Sequence, residues 1–210
     1  MGRTTSLIFD LDGTLYSSRE FADEVHRQSV LGLAEYFQVS PEDAERMLTA
    51  AKADLTRLHG HEATLSAACT ALGGDLRRLH DQLAARLQPE EYLAPDERVI
   101  ALLERLGEQY NLYIYTNNNR PLTDRIVTRL GLDGLFTGIY TVEDFWRPKP
   151  DRLALAKLLA AIGAEPVECL FVGDRFDVDL RLPEEHGSRV FFTDSVERLL
   201  ELAEFCNTDD

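Results

Sequence analysis

The stretch Leu7-Ile8-Phe9-Asp10-Leu11-Asp12-Gly13-Thr14-Leu15 decides the fold of this chain. It begins with an apolar run that predicts a short strand buried on both faces. Side chains alternate across a strand, so the carboxylates of Asp10 and Asp12 are expected to point the same way. Two carboxylates at the end of a buried strand are well placed to hold a hard cation.

Four further runs rich in β-branched and aromatic residues predict strands at 112–115, 139–142, 170–172 and 190–192. Other segments have apolar residues spaced by three or four positions, which predicts amphipathic helices over 98–108, 122–130, 152–162 and 196–205. This alternation predicts an α/β fold, a Rossmann-like parallel sheet with right-handed crossovers and helices on both faces.

The segment between residues 19 and 88 breaks the alternation, because all its periodic stretches are helical: 21–37, 41–58, 62–72 and 76–87. We therefore predict an all-helical insertion after the first strand. The expected boundaries are 1–16 and 92–210 for the core and 17–91 for the insertion. The final residues, Asn207 to Asp210, are expected to be a frayed end.

Three more polar groups lie near the ends of predicted strands. Thr116-Asn117 offers a hydroxyl and an amide just ahead of a helix, where phosphate oxygens find donors. Lys149 stands between two prolines, which restrict its backbone, and Gly173-Asp174 ends another apolar run. Ligands bind beyond the carboxyl ends of the strands in an open α/β sheet, so these groups and Asp10 are expected to share one site.

The charge balance narrows the class of ligand. The chain has 22 basic and 37 acidic residues and a net charge of -15, which disfavours a nucleic-acid polymer or an anionic membrane as partner. A small phosphorylated ligand needs local relief from a cation, a lysine or helix N-termini. Cys69, Cys169 and Cys206 lack metal-ligand spacing and predict reduced thiols. No apolar run reaches roughly 18 residues, so we expect a cytoplasmic protein with no membrane partner; monomer and homodimer both stay open.

Four motifs occur in order along the chain: Asp10-Leu11-Asp12-Gly13-Thr14, Thr116-Asn117, Lys149-Pro150, and Gly173-Asp174 followed by Asp179. Together they resemble the haloacid dehalogenase superfamily, and specifically its subfamily I phosphatases with a helical C1-type cap inserted after the first strand. The resemblance covers nearly the whole chain. It implies a magnesium-dependent phosphomonoester hydrolase that acts on a small phosphorylated metabolite of the nucleotide, sugar phosphate or phosphoglycolate type.

The resemblance also implies roles for individual residues. Asp10 would attack phosphorus and form an aspartyl-phosphate that water later hydrolyses. Asp12 would protonate the leaving oxygen and then activate that water. Thr116 and Lys149 would act in catalysis by binding the transferring oxygens, and Asn117 would also contact the substrate.

The implied metal is Mg2+, held by Asp10, the backbone carbonyl of Asp12, and Asp174. Either Asp177 or Asp179 completes the metal shell, and the spacing favours Asp179. Asp177 would then cap the next helix.

Substrate specificity is expected to come from Tyr16, which follows the first motif, and from Arg57 and His59 in the insertion. A sugar phosphomutase with the same core motifs is the main alternative function. A phospho-acceptor signalling domain also combines strand-end acids with a hydroxyl and a lysine, but the order of the motifs and the helical insertion disfavour it. Asp12 argues against a dehalogenase, which has no need of a second acid.

Overall fold

The structure is a computed structural model that describes residues 3–207. The chain divides into two compact units. One unit combines the segment that ends at Ser18 with the segment that begins at Leu93, and the other is Arg19–Tyr92.

The unit Arg19–Tyr92 consists of helices α1 (Arg19–Phe37), α2 (Pro41–His59), α3 (Leu65–Ala71) and α4 (Leu76–Arg86), followed by a short 3-10 turn. Side chains that precede three of these helices accept hydrogen bonds from the first-turn amides: Ser40 from Asp43, Thr64 from Ala67, and Asp75 from Arg77. Apolar side chains such as Leu33, Leu48 and Leu79 form its interior. The predicted helical character of this segment is therefore observed.

The helical unit also buries a histidine. His80 is 3% exposed, and its ring lies 3.4 Å from the hydroxyl of Ser66. Burial lowers the pKa of His80 to about 4, because the charged imidazolium loses its hydration there.

The other unit contains a five-stranded parallel sheet of order β3-β2-β1-β4-β5. Its strands are β1 (Ser6–Phe9), β2 (Asn111–Tyr115), β3 (Gly138–Tyr140), β4 (Cys169–Gly173) and β5 (Arg189–Phe192). The three central strands are almost wholly buried, which explains why their sequences are continuous apolar runs. This architecture confirms the predicted α/β class.

The sheet topology positions the site. The chain builds β2 and β3 on one side of β1, then crosses over to build β4 and β5 on the other side. The strand order therefore reverses between β1 and β4, and ligands bind at such a switch point. Phe9 at the end of β1 is in register with Ile114 of β2 and with Val172 of β4. Residues that follow these three strands consequently emerge at one level.

Helices of this unit are α5 (Glu97–Gly107), α6 (Arg120–Arg129), α7 (Val142–Phe145), α8 (Arg152–Ile162), α9 (Arg181–Glu185), α10 (Val196–Leu200) and α11 (Leu202–Asn207). Helix α8 packs its buried face on Ile8, Tyr113 and Phe171 of the sheet. On the opposite face, α5 places Gly107 beside Leu112. Among residues 3–207, no helix has the length and apolar character that crossing a bilayer requires.

Several predicted elements differ from the observed ones. The helix expected over 62–72 is observed as Leu65–Ala71, and the Thr64 side chain caps its first turn. The strand expected over 139–142 ends at Tyr140, because Thr141 begins a capping box in which its backbone N–H donates to Asp144 at 2.7 Å. The helix expected over 196–205 is interrupted at Glu201, whose amide bonds the carbonyl of Arg198 three residues back at 3.2 Å.

The last helix reaches the end of the described residues. Helix α11 extends to Asn207, and residues 208–210 of the expected frayed end lie outside the described residues.

All three cysteines are buried free thiols. Burial raises the pKa of Cys69 to about 11 and that of Cys169 to about 12, so both stay protonated at neutral pH.

Candidate active site

A buried lysine and two buried carboxylates form the centre of the site. The Asp10 N–H donates to the Val172 carbonyl at 2.9 Å, which extends the pairing of β1 with β4 by one residue. The Lys149 ammonium donates to Asp10 Oδ1 at 2.7 Å, to Asp179 Oδ1 at 2.6 Å and to the Tyr115 carbonyl at 2.8 Å. All three N–H groups of the ammonium therefore have an acceptor, which fixes the position of the ammonium in the site.

A third carboxylate, that of Asp174, completes a group of acids. One oxygen each from Asp10, Asp174 and Asp179 lies within 4.8 Å of the others. Asp10 Oδ2 and Asp174 Oδ1 are buried and accept no hydrogen bond from the described residues. The chain beside them bends at Gly13, where φ is +82° and an added Cβ would overlap the Asp174 carboxylate. Asp10 and Asp174 therefore each keep one buried carboxylate oxygen available for a further ligand.

The electrostatics of the group favour an additional cation. Burial raises the pKa of Asp10 to about 7, against the opposing charge of Lys149 and with a further rise from Asp179. Burial likewise raises the pKa of Asp174 to about 6. Burial would lower the pKa of Lys149, but the charges and hydrogen bonds of its two carboxylate partners raise it above its ordinary value. Two cationic side chains, Lys149 and Arg175, thus face three carboxylates, and a divalent ion would offset the remaining negative charge.

Asp12 lies outside this group of three carboxylates. Its Oδ1 accepts a short hydrogen bond from the Tyr16 hydroxyl, and its Oδ2 accepts one from Asn118 Nδ2 at 2.7 Å. The side chain is half-buried, so solvent can still reach it. The implied metal contact of Asp12 was through its backbone carbonyl, which these side-chain bonds leave unaffected.

Three consecutive asparagines after Thr116 make different contacts. The Asn117 amide accepts from the Lys149 backbone N–H at 2.7 Å and donates to its carbonyl at 3.2 Å. Asn118 holds Asp12, and its own N–H donates to Thr116 Oγ1 at 3.1 Å. Asn119 Oδ1 caps α6 by accepting a backbone N–H at 2.9 Å. The expected substrate contact of Asn117 stays a prediction, and its observed contact positions Lys149.

The structure separates the two acids that follow Asp174. Asp179 is buried, bonds Lys149 and also accepts the Arg175 N–H at 3.2 Å. Asp177 is part-exposed and pairs with Arg181 at 3.1 Å. The expectation that Asp177 caps the next helix is wrong. Asp177 lies within a π-helical turn, Phe176–Leu180, and α9 begins directly after Leu180 with no side-chain cap from the described residues.

The remaining predicted contacts lie in the helical unit. Arg57 pairs with Asp54 at 2.6 Å, and both side chains are exposed. The His59 ring stacks on that of His61 with centroids 5.9 Å apart. Their contact with a substrate stays a prediction.

Arg175 and Asn118 were missed by sequence reasoning. The Arg175 guanidinium lies 3.9 Å from Asp174, and its charge opposes the rise in pKa of both Asp10 and Asp174. Arg175 directly follows Asp174 in the sequence, and this position could have indicated that it lies near the site. Asn118 adjoins the second motif, but nothing in a run of asparagines says which one reaches another strand.

Comparison with known proteins identifies the family. A family model described as haloacid dehalogenase-like hydrolase matches residues 5–187. The chain belongs to that family. The resemblance predicted from the four motifs is therefore confirmed, and with it the assignment as a hydrolase.

Proteins similar to the chain include named phosphatases. A glyceraldehyde 3-phosphate phosphatase from Methanopyrus kandleri is 26% identical over 191 residues, which cover 84% of this chain and 78% of that protein. Pyrophosphatase PpaX from Bacillus velezensis is 27% identical over 194 residues, covering 83% and 76% respectively. The crystal structure of a phosphatase of the same family from Thermococcus onnurineus shares the fold with a TM-score of 0.65 and 20% identity, covering 96% of this chain and 97% of that one.

Proposed function

We propose that the protein is a Mg2+-dependent phosphatase that hydrolyses small phosphate esters through a phosphorylated Asp10. One observation carries the proposal. The Asp10 carboxylate is buried, one of its oxygens is held by Lys149, and the other accepts no hydrogen bond from the described residues. An oriented carboxylate with one unused oxygen is suited to nucleophilic attack.

The residues present fit a magnesium ion. Asp10 and Asp174 each contribute a buried oxygen without a hydrogen-bond partner among the described residues. Both residues belong to the group in which one carboxylate oxygen each from Asp10, Asp174 and Asp179 lies within 4.8 Å of the others. Oxygen ligands of this kind suit a hard divalent cation. Asp10, Asp174 and the Asp12 carbonyl would hold the ion, with Asp179 supporting the shell. Bound Mg2+ supplies positive charge that offsets the repulsion between the carboxylates and the phosphate.

In the first step, an Asp10 oxygen forms a bond to phosphorus as the bond from phosphorus to the leaving oxygen breaks. Asp12 gives its proton to that oxygen, so the leaving group departs as an alcohol. The Lys149 ammonium and the Thr116 hydroxyl stabilise the charge on the transferring phosphoryl oxygens. The products are the alcohol and the Asp10 acyl phosphate.

In the second step, Asp12 takes a proton from water while the water oxygen attacks phosphorus. The bond between phosphorus and the Asp10 oxygen breaks, inorganic phosphate leaves, and Asp10 returns as a carboxylate. Asp12 ends protonated and ready for the next cycle. The half-buried position of Asp12 is consistent with access to both the leaving group and water.

The substrate proposed is a small phosphorylated metabolite. The net charge of -15 repels polyanions, while the local cations Lys149 and Arg175 attract one phosphate. The named relatives act on glyceraldehyde 3-phosphate or pyrophosphate, which makes both compounds, with phosphoglycolate, sugar phosphates and nucleotides, the first substrates to test.

The test is phosphate release from that panel with Mg2+ or with a chelator. Asp10→Asn is compared with Asp177→Asn, a matched change at a part-exposed acid outside the group of three. We expect Asp10→Asn to lower kcat/KM by about a thousandfold or more, and Asp177→Asn to retain the wild-type value within about threefold. Release of phosphate from no member of the panel, or equal losses in the two variants, would overturn the proposal. Transfer of the phosphate to a second sugar hydroxyl would identify a phosphomutase.

A further inference from the structure

Both oxygens of the Asp12 carboxylate are held by hydrogen-bond donors from separate parts of the chain. Tyr16 lies four residues further along and donates its hydroxyl to Oδ1. Asn118 follows β2 and donates its amide to Oδ2 at 2.7 Å. We call these three residues the Asp12 clamp.

We propose that Tyr16, together with Asn118, is a positioning residue that orients Asp12 for proton transfer to the leaving oxygen. This inference rests on the proposed function, because it assigns a role within that reaction. The observed contact of Tyr16 is with the acid itself, and its contact with a substrate stays a prediction.

The geometry of the clamp restrains the rotation of the Asp12 carboxylate. A carboxylate plane held at only one oxygen can rotate about its last torsion, whereas donors on both oxygens fix it. Each oxygen has two lone pairs, so one lone pair on each remains for a proton after the clamp has formed. Asp12 can therefore carry and transfer a proton without breaking either contact.

The surroundings of Tyr16 favour a fixed rather than a substrate-responsive side chain. Tyr16 is only 8% exposed, so neighbouring atoms enclose most of it. A rigid donor contributes orientation at little entropic cost.

The clamp makes a specific kinetic prediction. Protonation matters most for an alkyl leaving group, whose alkoxide is strongly basic, and least for 4-nitrophenolate, which leaves readily as an anion. A misplaced acid therefore slows hydrolysis of an alkyl phosphate more than that of 4-nitrophenyl phosphate. A general loss of structure would slow both by the same factor.

The experiment measures kcat/KM for 4-nitrophenyl phosphate and for the best alkyl phosphate of the panel, because this parameter reports the step in which the leaving group departs. Tyr16→Phe removes the hydroxyl but keeps the ring in place. Asn118→Ala removes the other donor and keeps the backbone bonds of residue 118. Tyr113→Phe, the same change at a buried tyrosine of β2, is the matched control.

We expect Tyr16→Phe and Asn118→Ala to lower the ratio of the alkyl to the aryl kcat/KM by about tenfold, a fraction of the 10²–10⁴ that a general acid contributes. Tyr113→Phe should keep the wild-type ratio. An unchanged ratio in Tyr16→Phe and in Asn118→Ala, while wild type hydrolyses both substrates, would overturn the inference and leave the proposed function intact. Failure of wild type to hydrolyse either substrate would overturn the proposed function, and this inference with it.

Discussion

Replacing Lys149 by methionine removes the ammonium at the centre of the site while nearly preserving the length of the side chain. The change deletes three hydrogen bonds, two of them to buried carboxylates that are each 3% exposed. Asp10 and Asp179 then share a buried site with no ammonium between them. Removing one partner of a buried ion pair costs about 3–5 kcal/mol, because the other charge is left uncompensated.

The loss of stability caused by Lys149→Met should increase with pH. The pKa of Asp10 is already raised to about 7, chiefly by burial, and loses the opposing effect of Lys149 in the variant. Above the ordinary carboxyl pKa, the folded variant then binds more protons than its unfolded chain, so its stability falls as the pH rises. The difference from wild type should therefore be larger at pH 8 than at pH 6.

Urea unfolding in the presence of a chelator measures this effect, with fluorescence of Trp146, the only tryptophan, reporting on the unit that holds the site. With a urea dependence of about 2 kcal/mol per molar, we expect the midpoint at pH 8 to fall by about 1.5–2.5 M. Lys157→Met, the same change at an exposed lysine of α8, should stay within about 0.5 kcal/mol of wild type. A shift for Lys149→Met no larger than that control, or one that does not grow with pH, would refute the reasoning.

Three further predictions concern metal binding, backbone shape and pH. Asp174→Asn should weaken Mg2+ binding by about tenfold or more in thermal melts titrated with the ion, whereas Asp177→Asn should match wild type. Gly13→Ala should destabilise the protein by at least about 1 kcal/mol more than Gly163→Ala. Both glycines have a positive φ, but only the Cβ added at Gly13 would meet another residue. Equal losses of stability in the two variants would contradict the close approach of Asp174. As the pH falls from 7 to 4, His80 becomes protonated in the unfolded chain before it does in the folded one. Over this range wild type should therefore lose up to about 3 kcal/mol more stability in urea unfolding than His80→Gln does. The same dependence of stability on pH in both proteins would contradict the burial of His80.

The elements that could be predicted from the sequence are those with a local signal. Helix α8 spans Arg152–Ile162 as expected, because its apolar residues recur at helical spacing and Gly163 ends it in a left-handed conformation. The central strands were predicted because burial on both faces requires continuous apolar runs. Convergence of Asp10 and Asp174 followed from the rule that parallel strands end at one edge of the sheet, whereas Lys149 reaches the site from the loop after α7.

The parts that could not be predicted depend on contacts between distant segments. Only the fold shows that Asn117 bonds the backbone of Lys149, 32 residues away, and that Asn118 reaches Asp12, 106 residues away. The end of β3 at Tyr140 was missed because Thr141-Val142 has high strand propensity, while the capping box with Asp144 favours a helix start. Local propensity and local capping conflicted there, and the cap decided the structure.

The most direct measurement of the central claim is the mass of the peptide that contains Asp10 after rapid acid quenching of the enzyme with substrate and Mg2+. A fraction of this peptide should carry one additional phosphoryl group, hydroxylamine should remove it, and Asp10→Asn should show none. A phosphoryl group on another residue, or none on Asp10 during turnover that releases phosphate, would contradict the proposed mechanism.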